Sequence, residues 1–307
     1  MPRKMIKIAI TGANSSVGVN LLRTIVRDTQ YDVIAGIRSE KAIATLPTSP
    51  RIEPRIISYD NAASLARSLA DADVVVHLAG ILIESANSNY SNGNIDATTV
   101  AVAAAKENSA KHFVLISVVG ADAHSENRYF ASKGLAESAV KRGGVPASII
   151  RTPILLGGNT AGTQALLNAA KKEKANVLAG GNYSVRPLDI DDLSKAILNC
   201  VENIGGHSKQ SPQVAVHELA GPESITYRKL IELVARMMGN KVAIGSVPLW
   251  QAKLAARLMG LVRSGGITPT VIDVITADEL IAANADIDLR LTLTPLKTTV
   301  KKILEQR

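Results

Sequence analysis

The chain has 307 residues, 46% apolar and 20% charged, enough for one large α/β domain with a lobe and unlike a disordered or fibrous chain. Its net charge of +8 is spread over scattered lysines and arginines with no interleaved aromatics, a pattern that gives a basic surface and argues against nucleic-acid binding. The single cysteine, Cys200, excludes an internal disulfide and a cysteine-based metal cluster.

The N-terminal MPRKMIKIAITG lacks the apolar region and cleavage site of a signal peptide, and the longest apolar stretches are too short to span a bilayer. A cytoplasmic location is the expectation. Short apolar runs at 6–11, 32–37, 55–59, 73–79, 112–117 and 147–151 alternate with helical patterns at 16–29, 62–70, 91–109 and 128–142. Continuous apolar strands between helices mark a parallel sheet covered on both faces. The expectation is an α/β doubly wound sheet over residues 1–155, with ligands at the carboxyl ends of the strands. A smaller, mostly helical C-terminal lobe follows over 156–307, and the chain returns to the sheet near 190–204 and 213–219.

Within the lobe, 163–174 and 225–239 read as helices, and Cys200 falls on the apolar stripe of a helix ending near 204, as a buried thiol would. In VPLWQAKLAARLMGLV (247–262), Leu254, Leu258 and Leu261 share one helical face and Lys253 and Arg257 another. Packing of that face on the core is the default reading. The alternative is a lid over an apolar substrate, or a peripheral membrane contact, including contact with a membrane complex.

The first strand ends in TGANSSVG. Gly12 permits the sharp exit from the strand, and Gly18 lets the next helix pack close. The turn through Asn14, Ser15, Ser16 and Val17 then offers a helix N-terminus to a pyrophosphate. Ser15 stands where a third glycine is usual; it is small, and its hydroxyl can meet a phosphate or cap the helix. The second strand ends in AGIRSEK. Arg38 takes the place where an acidic residue would select NAD, so NADP(H) is favoured over NAD(H), unless Arg38 is only a surface residue of the loop.

RYFASKGLAES places Tyr129 and Lys133 four apart, on one face of a helix. The lysine charge is expected to lower the tyrosine pKa toward a useful acid–base range. Ser117 ends the fifth strand, at the edge where a carbonyl substrate would sit. The five histidines show no ligand spacing, and no metal is expected.

At these residues the sequence resembles the short-chain dehydrogenase/reductase superfamily, in its extended or atypical branch, with a Rossmann fold. The resemblance implies that Ser117, Tyr129 and Lys133 form a catalytic trio and that Lys133 also holds the nicotinamide ribose. It further implies that Asp60 and its neighbour Asn61 contact adenine, and that Ala79 and Gly80 of VVVHLAG pass beside the nicotinamide ribose. Asn94 matches an asparagine common at its helix start, and Pro153 and Ile154 of IIRTPILLG would line the nicotinamide. SVVGADAHSENRYFASKGLAE, RPLDIDDLSKAI and HELAGPESITYRKLIELVARMMG are most similar to the nucleotide-binding accessory subunit of respiratory complex I and its bacterial relatives. Two functions follow as expectations: an oxidoreductase or epimerase acting on a carbonyl or hydroxyl group, or a non-catalytic NADPH-binding accessory, assembly or redox-sensing protein. Substrate identity and oligomeric state stay open.

Overall fold

A computed structural model describes residues 6–202, 213–262 and 265–306. Seven strands form its main sheet: β1 (Lys7–Thr11), β2 (Asp32–Ile37), β3 (Ile52–Ile56), β4 (Val74–His77), β5 (His112–Val118), β6 (Ala147–Thr152) and β7 (Val214–Glu218). Their spatial order is β7-β6-β5-β4-β1-β2-β3, and every neighbouring pair is parallel. Chain order reverses between β1 and β4, which opens a crevice at the carboxyl ends of those strands.

Both faces of the sheet are buried because alternate side chains enter different cores. Ile8 and Ile10 of β1, with Val74, Val76 and Val114, pack on α1 (Ser16–Asp28) and α6 (Ile190–Glu202). Ala9, Ile34, Val75, Phe113 and Leu115 pack on α2 (Ala62–Ser68), α3 (Ala97–Glu107) and α4 (Arg128–Arg142). Each fully buried leucine or isoleucine contributes about 1.5–3 kcal/mol, so the doubly covered sheet is the rigid base of the molecule. Cys200 lies in the first core, where burial pushes its thiol up to about 11.

A third core belongs to the lobe. It gathers Leu166 and Leu167 of α5 (Ala161–Ala170), Leu230, Ile231 and Val234 of α7 (Tyr227–Met237), and Val300 and Ile303 of α10 (Leu296–Glu305). A parallel pair of strands, Lys174–Leu178 with Ala243–Val247, closes it. α8 (Leu249–Val262) and α9 (Pro269–Ile275) project from this lobe, and α9 packs on α4, where Asn127 Nδ2 donates to Thr270 O at 3.1 Å.

Four sequence expectations change. The third strand runs over 52–56 instead of 55–59, because its parallel register with β2 pairs Val33 with Ile52 and Ile37 with Ile56. As an edge strand it tolerates Pro54, and it exposes Glu53, which pairs with Arg55. The helix expected over 91–109 begins as a π turn, Ser91–Asp96. The helix expected over 163–174 ends at Ala170, and Lys174 instead starts a short strand. Most consequentially, Leu254 and Leu258 of α8 point outward instead of packing on the core. The side chain of Leu261 and residues 203–204 of the expected helix lie outside the described residues.

Candidate active site

The crevice beside β1 and β4 holds a cleft of about 290 Å³ lined by Gly12, Asn14, Ser15, Gly36, Arg38, Tyr59, Ala79 and Gly80, among others. Gly12 has φ 76°, and a β-carbon there would lie 3.0 Å from the backbone nitrogen of Ala79. A β-carbon on Gly18 would sit 2.5 Å from the carbonyl oxygen of Ala13, so any side chain would force the helix off the sheet. Both glycines are therefore required for the turn and for the open space above it.

Ser15 caps α1: its hydroxyl oxygen accepts the N–H of Gly18 at 3.0 Å. That bond uses a lone pair and leaves the hydroxyl proton free to meet an anion, while the N–H groups of Ser16 and Val17 have no partner within the helix. The serine in the glycine position thus keeps the cradle intact. Ser16 turns its side chain away and donates to Asn159 O at 3.0 Å. Val17 faces an adjoining pocket. The open turn, the free donors and the missing side chains fit a dinucleotide.

Arg38 ends β2 at the cleft, exposed, with no hydrogen bond or ion pair among the described residues. Asp60 and Asn61 depart from their expected adenine contacts. Both are exposed and absent from the lining of the cleft, and Asn61 Oδ1 accepts Ser64 N–H at 2.8 Å as the N-cap of α2. Tyr59, one residue earlier, faces the cleft instead. Its ring meets the edge of His77, a neutral imidazole whose pKa burial lowers to about 3 and whose Nδ1 pairs with Thr11 Oγ1 at 2.7 Å.

Ala79, Gly80, Leu78 and Ile81 are shared with a second pocket of about 250 Å³. Its wall is apolar in Val17, Leu82, Ile116 and Val118 and polar in Asn94, Tyr129, Lys133 and Thr152. Asn94 is a clamp. Its Oδ1 accepts Ile81 N–H at 2.7 Å, and its Nδ2 donates to Ile81 O at 3.0 Å and to Ser132 Oγ at 2.9 Å. The π turn buries it there and fixes the segment after Gly80. Pro153 and Ile154 do not line either pocket. Ile154 packs on the lobe core, and its N–H goes to Glu279 at 2.6 Å. Thr152, just before them at the end of β6, reaches the wall in their place.

Asn127 caps α4 and so fixes the first turn carrying Tyr129; Lys133 follows one turn on. Lys133 Nζ donates to Ile116 O at 2.9 Å. Burial lowers its pKa to about 8, partly opposed by the charge of Glu137. The phenol of Tyr129 is pushed up by burial and, less, by Tyr90. This direction is opposite to the expected lowering, and burial, which disfavours the phenolate, is its main cause. The loop over 81–90 covers this phenol. Tyr90 lies 5.9 Å from the Tyr129 ring, donates to Leu82 O at 2.9 Å and lies beneath the Arg128 guanidinium.

Ser117 is the main correction. It reaches the pocket wall, but its hydroxyl donates to Glu137 Oε1 at 2.6 Å, in the interior. Glu137 accepts two further bonds from Arg151, at 2.9 and 2.7 Å, and Arg151 reaches Glu218 on β7 at 3.2 Å. In this structure the single proton of Ser117 goes to that network instead of to the pocket. Val118, the next residue, presents an apolar side chain. Besides Tyr129, the remaining hydroxyl on the wall is Thr152, whose Oγ1 donates to Ser117 O over a long 3.4 Å. The signal for Thr152 was the one used for Ser117, since Val118 and Thr152 are register partners at the carboxyl edge.

A doubly wound sheet with this cradle at its switch point defines a dinucleotide-binding protein of the short-chain dehydrogenase/reductase class. The family described as NAD(P)H-binding matches residues 12–184, and the chain belongs to it. Among curated relatives, ceramide reductase of Caulobacter vibrioides is 25% identical over 282 residues, covering 89% of this chain and 84% of that protein. A ketoreductase of Stigmatella aurantiaca, acting on 4-hydroxy-2-methyl-3-oxo-4-farnesyl-3,4-dihydroquinoline-1-oxide, is 23% identical over 81% of this chain and 78% of its own. Subunit 9 of the alpha subcomplex of mitochondrial NADH dehydrogenase from Arabidopsis thaliana is 25% identical over 63% of this chain and 47% of its own. A UDP-glucuronic acid 4-epimerase from Bacillus cereus, solved with UDP-glucuronic acid and NAD, superposes with a TM-score of 0.72 at 19% identity, covering 98% of this chain and 100% of that one.

Proposed function

We propose that this chain is an NADPH-dependent reductase of a ketone carried on a lipophilic molecule. The observation that carries the reading is Tyr129, a phenol kept protonated by burial on the wall of an apolar pocket that opens into the nucleotide cleft. When bound, the nicotinamide coenzyme supplies the hydride. The chain does the rest. Tyr129 Oη holds a proton for the oxygen that gains negative charge, a role suited to a phenol whose pKa lies above its usual value. Lys133 keeps an ammonium at the seam of cleft and pocket below about pH 8. Thr152 offers a second hydroxyl to the same oxygen, and the apolar wall excludes water.

Arg38 supports NADPH over NADH, because a free guanidinium at the end of β2 suits a 2′-phosphate bidentately. A lipophilic substrate is supported by the composition of the second pocket and by the two reductases similar over most of this chain, whose names specify a ceramide and a farnesylated ring. The test is a titration of the purified chain with NADPH and NADH, repeated for Arg38→Ala, followed by reduction of long-chain ketones by wild type and Tyr129→Phe. NADPH preference that collapses in Arg38→Ala, with turnover lost in Tyr129→Phe, is the expected result. Failure to bind either nucleotide overturns the reading.

One observation favours a second reading, a non-catalytic nucleotide-binding subunit: the hydroxyl of Ser117 is withdrawn into the Glu137 network. Tyr129→Phe separates the two, because a non-catalytic protein keeps its full physiological role when only the phenolic oxygen is removed.

A further inference from the structure

α8 has its amphipathicity reversed. A surface helix normally turns its large apolar side chains inward. Here Ala252 and Ala256 lie on the more sheltered side, with Lys253 paired to Asp273 of α9. The exposed side carries Trp250 (67% exposed), Leu254 (50%), Leu258 (58%) and Met259 (65%). At 100° per residue the first three form one stripe about 80° wide with Arg257 at one border, and Met259 lies about 100° beyond Leu258. Ile267, just beyond the α8–α9 turn, is exposed as well.

The sequence around this stripe is basic, although Asp273 of α9 pairs with Lys253. From Leu233 to Ile272 the sequence contains no acidic residue and carries Arg236, Lys241, Lys253, Arg257 and Arg263. An apolar face bordered by Arg257 in a basic stretch of sequence, with the only tryptophan of the chain at its start, matches the composition of a helix lying in the interface of an anionic bilayer. No described helix is long and apolar enough to cross a membrane, so contact through α8 is parallel to the surface.

The segment that follows α8 reaches the loop over 81–90. Gly265 approaches Glu84 and Ser85 of the loop that covers Tyr129, and exposed Ile83 belongs to that loop. α9 is tied to the cap of α4 through Asn127 and Thr270. A lipid-borne ketone delivered from the bilayer would pass this loop, where Glu84 pairs with Arg128.

We propose that α8 docks this chain onto an anionic lipid bilayer through Trp250, Leu254 and Leu258. The docking surface stands on its own observations; the delivery of substrate rests on the reductase reading.

Because Trp250 is the sole tryptophan, its fluorescence reports the contact directly. The full chain, without nucleotide, is mixed with vesicles of phosphatidylcholine alone or of equal parts phosphatidylcholine and phosphatidylglycerol. The expected result is a blue shift and co-flotation with the anionic vesicles, weakened by salt. In Leu254→Glu/Leu258→Glu, vesicle affinity falls on the order of 100-fold, as expected when two leucines lose an apolar contact. Arg257→Glu weakens binding to the anionic vesicles only. Both variants alter exposed residues and should retain the wild-type melting temperature and NADPH affinity. No shift with either vesicle, or binding indifferent to lipid charge, overturns the proposal. A shift that appears with protein concentration alone, together with a sedimenting dimer, overturns it in favour of a second copy covering the stripe. NADPH titration without vesicles reads the reductase proposal separately, so either can fail alone.

Discussion

Replacing Ser117 with alanine sets the sequence reading against the structure. The substitution removes one hydroxyl and leaves the strand backbone unchanged. In the structure that hydroxyl donates at 2.6 Å to the buried carboxylate of Glu137. Hydrogen bonds to charged groups contribute about 1.5–3 kcal/mol. Glu137 keeps both bonds from Arg151, so no charge is stranded, and the loss falls toward the lower end of that range. For a chain of this size the melting temperature should drop by about 2–3 °C. NADPH affinity should stay close to wild type, because Ser117 is absent from the lining of the nucleotide cleft. Thr152→Val is the companion variant: its Oγ1 makes only a 3.4 Å contact with Ser117 O, so turnover should fall while the melt changes little. The measurements are thermal melts without ligand, NADPH titration, and turnover on a long-chain ketone. An unchanged melt with lost turnover in Ser117→Ala would refute the network argument and return the serine to the substrate carbonyl.

Two further outcomes follow from the site. Gly18→Ala would press a methyl group within 2.5 Å of a backbone carbonyl; forced overpacking of this kind costs about 1–3 kcal/mol, and NADPH affinity should fall with the melting temperature, as calorimetric titration would show. For reduction, kcat/KM should be level below about pH 8 and decline above it as Lys133 loses its proton, because burial depresses that group to about 8 while the Tyr129 phenol, pushed upward, keeps its own. A pH–rate profile that rises through that range would contradict this assignment of the charge.

Local chemistry determined much of this protein. Continuous apolar runs between helical periods can be buried only in a parallel sheet covered on both faces, so the doubly wound class and most of its strands were readable. The glycines of TGANSSVG were readable for the same kind of reason: the positive φ of Gly12 and the crowding of Gly18 by Ala13 are local, although Ala79 also closes on Gly12. Tyr129 and Lys133 share a helix, so their spacing alone placed them together.

What the sequence left undecided depends on partners far along the chain. The proton of Ser117 goes to Glu137, and Glu137 is held by Arg151, a link that exists only once β5, α4 and β6 are packed. The phenol of Tyr129 is raised because the fold buries it, a change that the lysine four residues away in the sequence does not reveal. Thr152 joins the wall because the register of β5 with β6 brings it beside Val118. The leucines of α8 have the spacing of a core-facing stripe, and periodicity carries no sign: it shows that a helix has an apolar face, while only the tertiary packing decides whether that face turns inward or out.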